Sequence, residues 1–197
     1  MEEMRCDAIV VGAGPAGIAA AMTIAQGGLE VIVLERGSFA GAKNVMGGIL
    51  YAQPTEDVLP GIDWSTAPVE RHIIEQRYWL LTEDSHIGLS YRTQAFDEPN
   101  YNAFTVLRAE WDQWFAAQAE AMGVFIIPEM TVTDVVWKDG AVVGVKTSGG
   151  DELFADVVII ADGANSLLAQ SAGMHQEWQP KEQALVTKEL IRLGEDR

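Results

Sequence analysis

Cysteine is almost missing from this chain: Cys6 is the only one. A lone thiol cannot close an intrachain disulfide, and an iron–sulfur cluster, which takes about four thiolates, would find no ligand set. Histidine is scarce and scattered, at His72, His86 and His175, with no pair at metal-ligand spacing. No metal is therefore expected. Basic side chains are outnumbered, 13 Lys and Arg against 29 Asp and Glu, and the formal net charge of −16 argues against nucleic acid or an anionic membrane surface as a direct partner. No apolar run approaches the ~20 residues of a transmembrane helix. Met1-Glu2-Glu3 lacks the basic start of a signal peptide. A nucleophile elbow, a Walker loop and a visible acid–base set are all absent, so no catalytic residue is assigned. These absences point to a cytoplasmic protein whose chemistry is supplied by a bound group.

The hydrophobic content, 48% of 197 residues, is ample for a packed core. One stretch organises the rest. The apolar run Asp7-Ala8-Ile9-Val10-Val11 feeds into Gly12-Ala13-Gly14-Pro15-Ala16-Gly17, a helical pattern follows, and Val31-Ile32-Val33-Leu34 then ends in Glu35. That strand–turn–helix–strand context is what a Gly-x-Gly-x-x-Gly needs to count as a dinucleotide fingerprint. Gly12 is expected to make the tight turn, Gly14 to admit a pyrophosphate, and Gly17 to let the helix close on the strand. The helix amino end supplies free N–H groups and partial positive charge. Glu35 lies where a carboxylate accepts hydrogen bonds from ribose hydroxyls and repels a 2′-phosphate, which disfavours NADP.

Along the chain, residues 15 to 27 read as the first helix, ended by Gly27-Gly28. Residues 37 to 50 read as a glycine-rich loop, either in contact with a ligand or a plain connection. Residues 53 to 66 look irregular. Residues 77 to 81 and 87 to 91 read as an antiparallel hairpin, an insertion belonging to a second, mostly β layer. Residues 92 to 103 read as a loop and 107 to 122 as a second helix, with Trp111 and Trp114 as core. Residues 124 to 127 follow as a buried strand. Asp139-Gly140 marks a hairpin between 132–138 and 141–147, and 152–154 forms a third short strand of that meander. Residues 157 to 160 return to the parallel-sheet type and release Ala161-Asp162-Gly163-Ala164-Asn165-Ser166 beside the first nucleotide loop. A simple helix start capped by Asn165 or Ser166 is the alternative there. A final strand is expected over 184 to 193.

These residues resemble the FAD-binding portion of the glutathione-reductase-type flavoproteins. More narrowly, Gly41-Ala42-Lys43-Asn44-Val45-x-Gly47-Gly48 with Leu50-Tyr51-Ala52, Val106-Leu107-Arg108, Ala161-Asp162-Gly163-x-Asn165-Ser166 and Lys188-Glu189-Leu190-Ile191 are similar to the FixC and electron-transfer flavoprotein–quinone oxidoreductase family. The implied fold is α/β: a Rossmann-like FAD-binding unit with a β-meander and an inserted antiparallel segment, incomplete at the carboxyl end. The resemblance divides the chain into 1–52 (βαβ unit and glycine-rich loop), 53–103 (inserted β segment), 104–177 (remainder of the FAD unit) and 178–197 (entry strand of a substrate or quinone region).

The resemblance further implies FAD, with Gly12, Gly14 and Gly17 at the pyrophosphate, Glu35 at the adenosine ribose, and Pro15, Ala16 and Arg36 as further cofactor-binding positions. Val132 would lie by the adenine and Arg108 would contact the cofactor. Asp162 and Gly163 form the second FAD motif, while Lys43, Asn44, Gly47 and Gly48 lie towards the isoalloxazine. The implied partners are an electron-transfer flavoprotein and a small ferredoxin-like protein that carries the cluster, with quinone as an onward acceptor. In a full-length form this implies a peripheral position at the inner face of a membrane. A geranylgeranyl-reductase-like or aromatic-hydroxylase-like flavoenzyme, and a non-catalytic nucleotide-binding remnant, are the competing expectations.

Overall fold

The computed structural model describes residues 5–44, 47–98, 101–174 and 176–184. The chain begins with strand β1 (Arg5–Val11), then helix α1 (Pro15–Gln26) and strand β2 (Val31–Leu34). Strand β3 (Gly47–Tyr51), the short helix α2 (Ala52–Val58) and strand β4 (Val69–His72) follow, and then the hairpin β5 (Glu75–Leu81) and β6 (His86–Arg92). Strand β7 (Ala103–Leu107) runs directly into helix α3 (Arg108–Ala121). The last part holds β8 (Phe125–Ile127), β9 (Val132–Lys138), β10 (Ala141–Thr147), β11 (Glu152–Ile160) and the single-turn helix α4 (Leu167–Ser171).

The main sheet has the order β8-β2-β1-β11-β10-β9. Its first four strands are mutually parallel, and β10 and β9 return antiparallel as a meander. β1 sits in the middle because it can bury both faces. Alternate residues of its apolar run feed opposite cores, and Ile9 and Val10 are both fully buried. On one side Val10 and Val33 pack under Ile18 and Met22 of α1 and Trp111, Phe115 and Ala119 of α3. On the other, Ile9, Val11 and Leu34 meet Val135 and Val145 of the meander and Leu168 of α4. Proline at the first position starts α1, and Gly28 at φ +77° lets the chain leave it.

A second sheet has the order β3-β7-β4, all antiparallel, and β5-β6 stands as a two-stranded ribbon. Trp64 joins this layer to the main core, lying 4.6 Å from Phe104 and 6.2 Å from Trp111, ring centre to ring centre. The Trp111–Trp114 pair is core, as expected.

Four expectations need correction. The glycine-rich loop does not run to residue 50: Gly47 to Tyr51 is a strand, because β7 offers it a full antiparallel ladder. Within residues 53 to 66, read as irregular, the first part belongs to α2. Residue 107 ends β7, so the second helix starts at Arg108. The two strands expected at 152–154 and 157–160 are one, β11, whose first part pairs with β10 and which pairs with β1 from Phe154 to Ile160. The final strand, with Lys188 to Ile191, lies outside the described residues beyond Ala184, as do Val45 and His175. Among the described residues no helix is long and apolar enough to cross a membrane.

Candidate functional site

The carboxyl ends of β1, β2 and β11 open into one cleft, the place where open α/β sheets bind ligands. Three glycines shape its edge in three different ways. Gly12 has φ +105°, and a Cβ there would lie 2.4 Å from the carbonyl oxygen of Ala161. The turns after β1 and β11 thus touch backbone to backbone. A Cβ on Gly17 would lie 1.9 Å from the Gly12 carbonyl oxygen, so only glycine lets α1 seat this closely. At Gly14 the added atom would meet nothing within 4 Å: that position faces open space.

Gly14 is also the N-cap of α1. No side chain caps the helix, no acidic residue lies in its first turn, and Pro15 has no N–H. The N–H groups of Ala16 and Gly17 are therefore first-turn donors with no intrahelical partner. Positive potential from the helix end falls on the space in front of Gly14.

Glu35, at the end of β2, is 9% exposed. Its Oε2 accepts from Ala13 N–H at 2.8 Å and its Oε1 from Gly37 N–H at 2.6 Å. The carboxylate thus ties the first glycine turn to the loop after β2. That loop is in turn laced to the segment after β8, through Met130 N–H to Glu35 O at 2.8 Å and Glu129 N–H to Gly37 O at 2.9 Å. This lacing brings Met130, Thr131 and Val132 to the cleft.

Asp162 closes the other side. Its Oδ2 accepts from Leu168 N–H at 2.7 Å, so it, rather than Asn165 or Ser166, caps α4. Ser166 takes a left-handed conformation at φ 47° and gives its hydroxyl to the Gly163 carbonyl. Ser166 holds the N-cap position expected as one alternative, but its side chain makes no capping bond, and Asp162 supplies the acceptor instead.

The resulting cleft, of about 440 Å³, brings together Gly12, Gly14, Glu35, Arg36, Lys43, Asn44, Val132, Asp162 and Gly163. Pro15, Ala16 and Gly17 form the first turn of α1 behind Gly14. Gly47 and Gly48 stand on β3, outside the lining. Arg108 is also outside it, and its guanidinium grips Asp112. Asn165, quoted in the sequence as part of the second motif and as a candidate cap, lines the cleft, and Met130, Thr131, Leu167 and Leu168 line it without having been singled out. Met130 and Thr131 directly precede Val132, and nothing in their residue types marks them. In a chain of net charge −16, the lining carries two cations, Arg36 and Lys43. Its two carboxylates, Glu35 and Asp162, both hold backbone N–H groups.

The described histidines, His72 and His86, do not converge here. His72, on β4, meets Asp97 at 2.9 Å and stacks on Tyr101 beside a separate open hollow lined by Glu70, Arg71 and Phe104. His86 leans on Trp79 in the ribbon. Among the described residues no group of three or more His, Cys, Asp or Glu is placed to hold a metal.

The model of the FAD dependent oxidoreductase family matches residues 7–191. The chain is 49% identical over 193 residues to protein FixC of Azotobacter vinelandii, covering 98% of this chain and 44% of that protein. For protein FixC of Azorhizobium caulinodans the figures are 45% over 192 residues, 96% and 44%. Escherichia coli K12 FixC gives 44% over 193 residues, 98% and 45%. The chain thus spans less than half the length of these curated relatives. Among solved structures, a geranylgeranyl bacteriochlorophyll reductase-like protein of Thermoplasma acidophilum superposes with a TM-score of 0.70 at 25% identity, over 87% of this chain and 42% of that one. CtdE, solved in complex with FAD, gives a TM-score of 0.59 at 24% identity over 86% and 41%, a likeness of fold.

Proposed function

The chain belongs to the FAD dependent oxidoreductase family, and from that premise we propose that its cleft binds FAD and that the protein is an electron-transferring oxidoreductase of the FixC type. One observation carries the reading: an uncapped helix end opens on free space at Gly14, in a cleft whose lining also carries two cations, which suits a pyrophosphate. The size of the cleft also falls in the range of about 300–1,000 Å³ usual for cofactor sites.

On this reading Gly12, Gly14, Pro15, Ala16 and Gly17 surround the pyrophosphate, Arg36 lies towards the adenosine end, and Lys43 lies with its loop towards the isoalloxazine. Glu35 keeps lone pairs free for the adenosine ribose, since each carboxylate oxygen accepts more than one bond. Val132 and its neighbours Met130 and Thr131 receive the adenine end. Asp162, Gly163 and Asn165 line the ribityl side, and Asn44, Gly47, Gly48 and Arg108 lie towards the isoalloxazine. Bound FAD would supply the electron- and hydride-transfer chemistry, for which these side chains provide placement and electrostatics.

Segments 1–52 and 104–177 then build the FAD unit. Segment 53–103 belongs to a second layer, and 178–197 leads towards a substrate or quinone region. High identity to FixC proteins supports an electron-transfer flavoprotein as donor and a ferredoxin-like protein or quinone as acceptor. A flavin reductase fed by a nicotinamide cofactor is the second reading, favoured by the Thermoplasma acidophilum likeness. Anaerobic bleaching of the flavin band near about 450 nm separates the two. Bleaching by reduced electron-transfer flavoprotein and not by NADPH is the expected result. Bleaching by NADPH alone selects the reductase, and a chain that takes up no FAD overturns both.

A further inference from the structure

We propose that Asp112 is a positioning residue for the cofactor, a buried carboxylate that holds the glycine-rich loop and Arg108 in the arrangement the cleft requires. The proposal rests on the FAD reading above. Asp112 lies on the inner face of α3, and its side chain is 0% exposed. It lines no part of the cleft. Its helix neighbours Trp111, Phe115 and Ala116 are all buried and apolar. A charge in such surroundings is costly unless it is fully engaged.

It is fully engaged, by groups that lead to the cleft. Arg108 donates through Nε to Oδ1 at 2.8 Å and through Nη2 to Oδ2 at 2.9 Å, a two-pronged grip. Asn44 donates through Nδ2 to the same Oδ2. Gly41 presses directly on the carboxylate: it has φ +88°, and a Cβ there would lie 2.7 Å from the Asp112 Cβ and 3.1 Å from Oδ2. Gly41, Lys43 and Asn44 line the cleft. One carboxylate therefore fixes the loop that walls the cleft and orients the arginine at the head of α3.

Helix stability does not explain this arrangement. Arg108 is the first residue of α3, so its cation sits at the positive end of the helix dipole. The pair also runs Arg then Asp at i,i+4, the weaker order for an ion pair along a helix. A helix selected only for packing would carry an apolar residue at 112 and no cation at 108. What the pair does provide is a loop and a guanidinium already ordered before the cofactor arrives, so that less ordering is left to be done on binding.

Asp112→Asn keeps the volume and removes the charge. In the full 197-residue chain, titration with FAD followed by flavin fluorescence should show affinity weakened by about tenfold or more, as expected for loss of a charge-assisted network. Amide hydrogen exchange of residues 38–44 in the FAD-free protein should rise. Asn44→Ala should also weaken FAD, and the double variant should lose less than the two singles combined, because both act on one link. If Asp112→Asn lowers the melting point of the FAD-free protein but leaves FAD affinity unchanged, Asp112 serves the fold alone and the proposal is overturned. Fully additive losses would overturn the route through Asn44. Should Asp112→Asn fail to fold, Asn44→Ala still decides: unchanged affinity and unchanged exchange of the loop would overturn the proposal. An unmodified chain that binds no FAD would overturn the FAD reading and this inference with it.

Discussion

Glu35 holds the Ala13 and Gly37 N–H groups and, on the FAD reading, a ribose as well. Removing its carboxylate should therefore register twice. Glu35→Ala is expected to weaken FAD binding by about tenfold or more, and to destabilise the FAD-free protein by about 1–3 kcal/mol, since buried donors are left without an acceptor. FAD titration beside urea denaturation measures both. Loss of stability with unchanged affinity would leave Glu35 a purely structural tie. The fingerprint glycines separate in the same way. Gly14 has an ordinary φ of −74° and faces open space, so Gly14→Val should melt close to the unmodified FAD-free protein yet bind no FAD. Gly17→Val, with its Cβ 1.9 Å from the Gly12 carbonyl oxygen, should fail to fold. Thermal melts by circular dichroism with an FAD titration test the contrast, and a Gly14→Val that still binds FAD normally would remove the pyrophosphate from that place.

Among the elements, the β5-β6 ribbon stands apart. Leu80 and Ile87 are cross-strand partners and each is 75% exposed, and Trp79 on the opposite face is 58% exposed. A two-stranded ribbon with apolar residues open on both faces is a candidate association surface. Leu80→Glu combined with Ile87→Lys, a cross-strand pair of opposite charge, should reduce self-association at high protein concentration and leave FAD affinity intact. Light scattering after size-exclusion chromatography reads the first and fluorescence titration the second. Association that persists would place the sticky surface elsewhere. Two short apolar runs separated by Thr82 to His86 marked this hairpin in sequence, because a ribbon depends on local pairing. β11 was misread for the opposite reason. Asp156, ion-paired with Arg5 on the surface, interrupts its apolar run. Only the long pairing with β1 makes the strand continuous. β3 was hidden similarly: two glycines read as loop until β7, more than fifty residues on, supplies the ladder.

For the whole molecule, binding and stability are linked, because a ligand that binds only the folded state adds stability in proportion to the logarithm of its concentration. FAD at a hundred times its dissociation constant should raise the melting temperature by about 5–10 °C. NADP at the same concentration should not, since on the FAD reading Glu35 faces the ribose and repels a 2′-phosphate. Differential scanning fluorimetry of the FAD-free protein gives the answer. An equal rise with both nucleotides would show that Glu35 does not discriminate. Raising the salt should weaken FAD binding modestly, since Arg36 and Lys43 at the cleft mouth are exposed.

The nucleotide unit was legible because its parts are local: an apolar run, three glycines at fixed spacing, a helix and an acidic residue each act through neighbours along the chain. From these alone came the βαβ order and the places of Gly12, Gly14, Gly17 and Glu35, while Lys43, Asn44 and Val132 came to notice through the family resemblance. Tertiary structure decided what depends on distant partners. It made Gly47 to Tyr51 a strand and 152–160 a single one, turned Asp162 to the start of α4, and drew Met130 and Thr131 into the cleft by lacing two loops together. It also buried Asp112 against Arg108 and Asn44. In sequence that residue is one more carboxylate among 29 acidic side chains. Its place becomes visible only when a helix and a loop 68 positions apart meet around it, because a buried charge is defined by the partners that surround it and not by its neighbours in the chain.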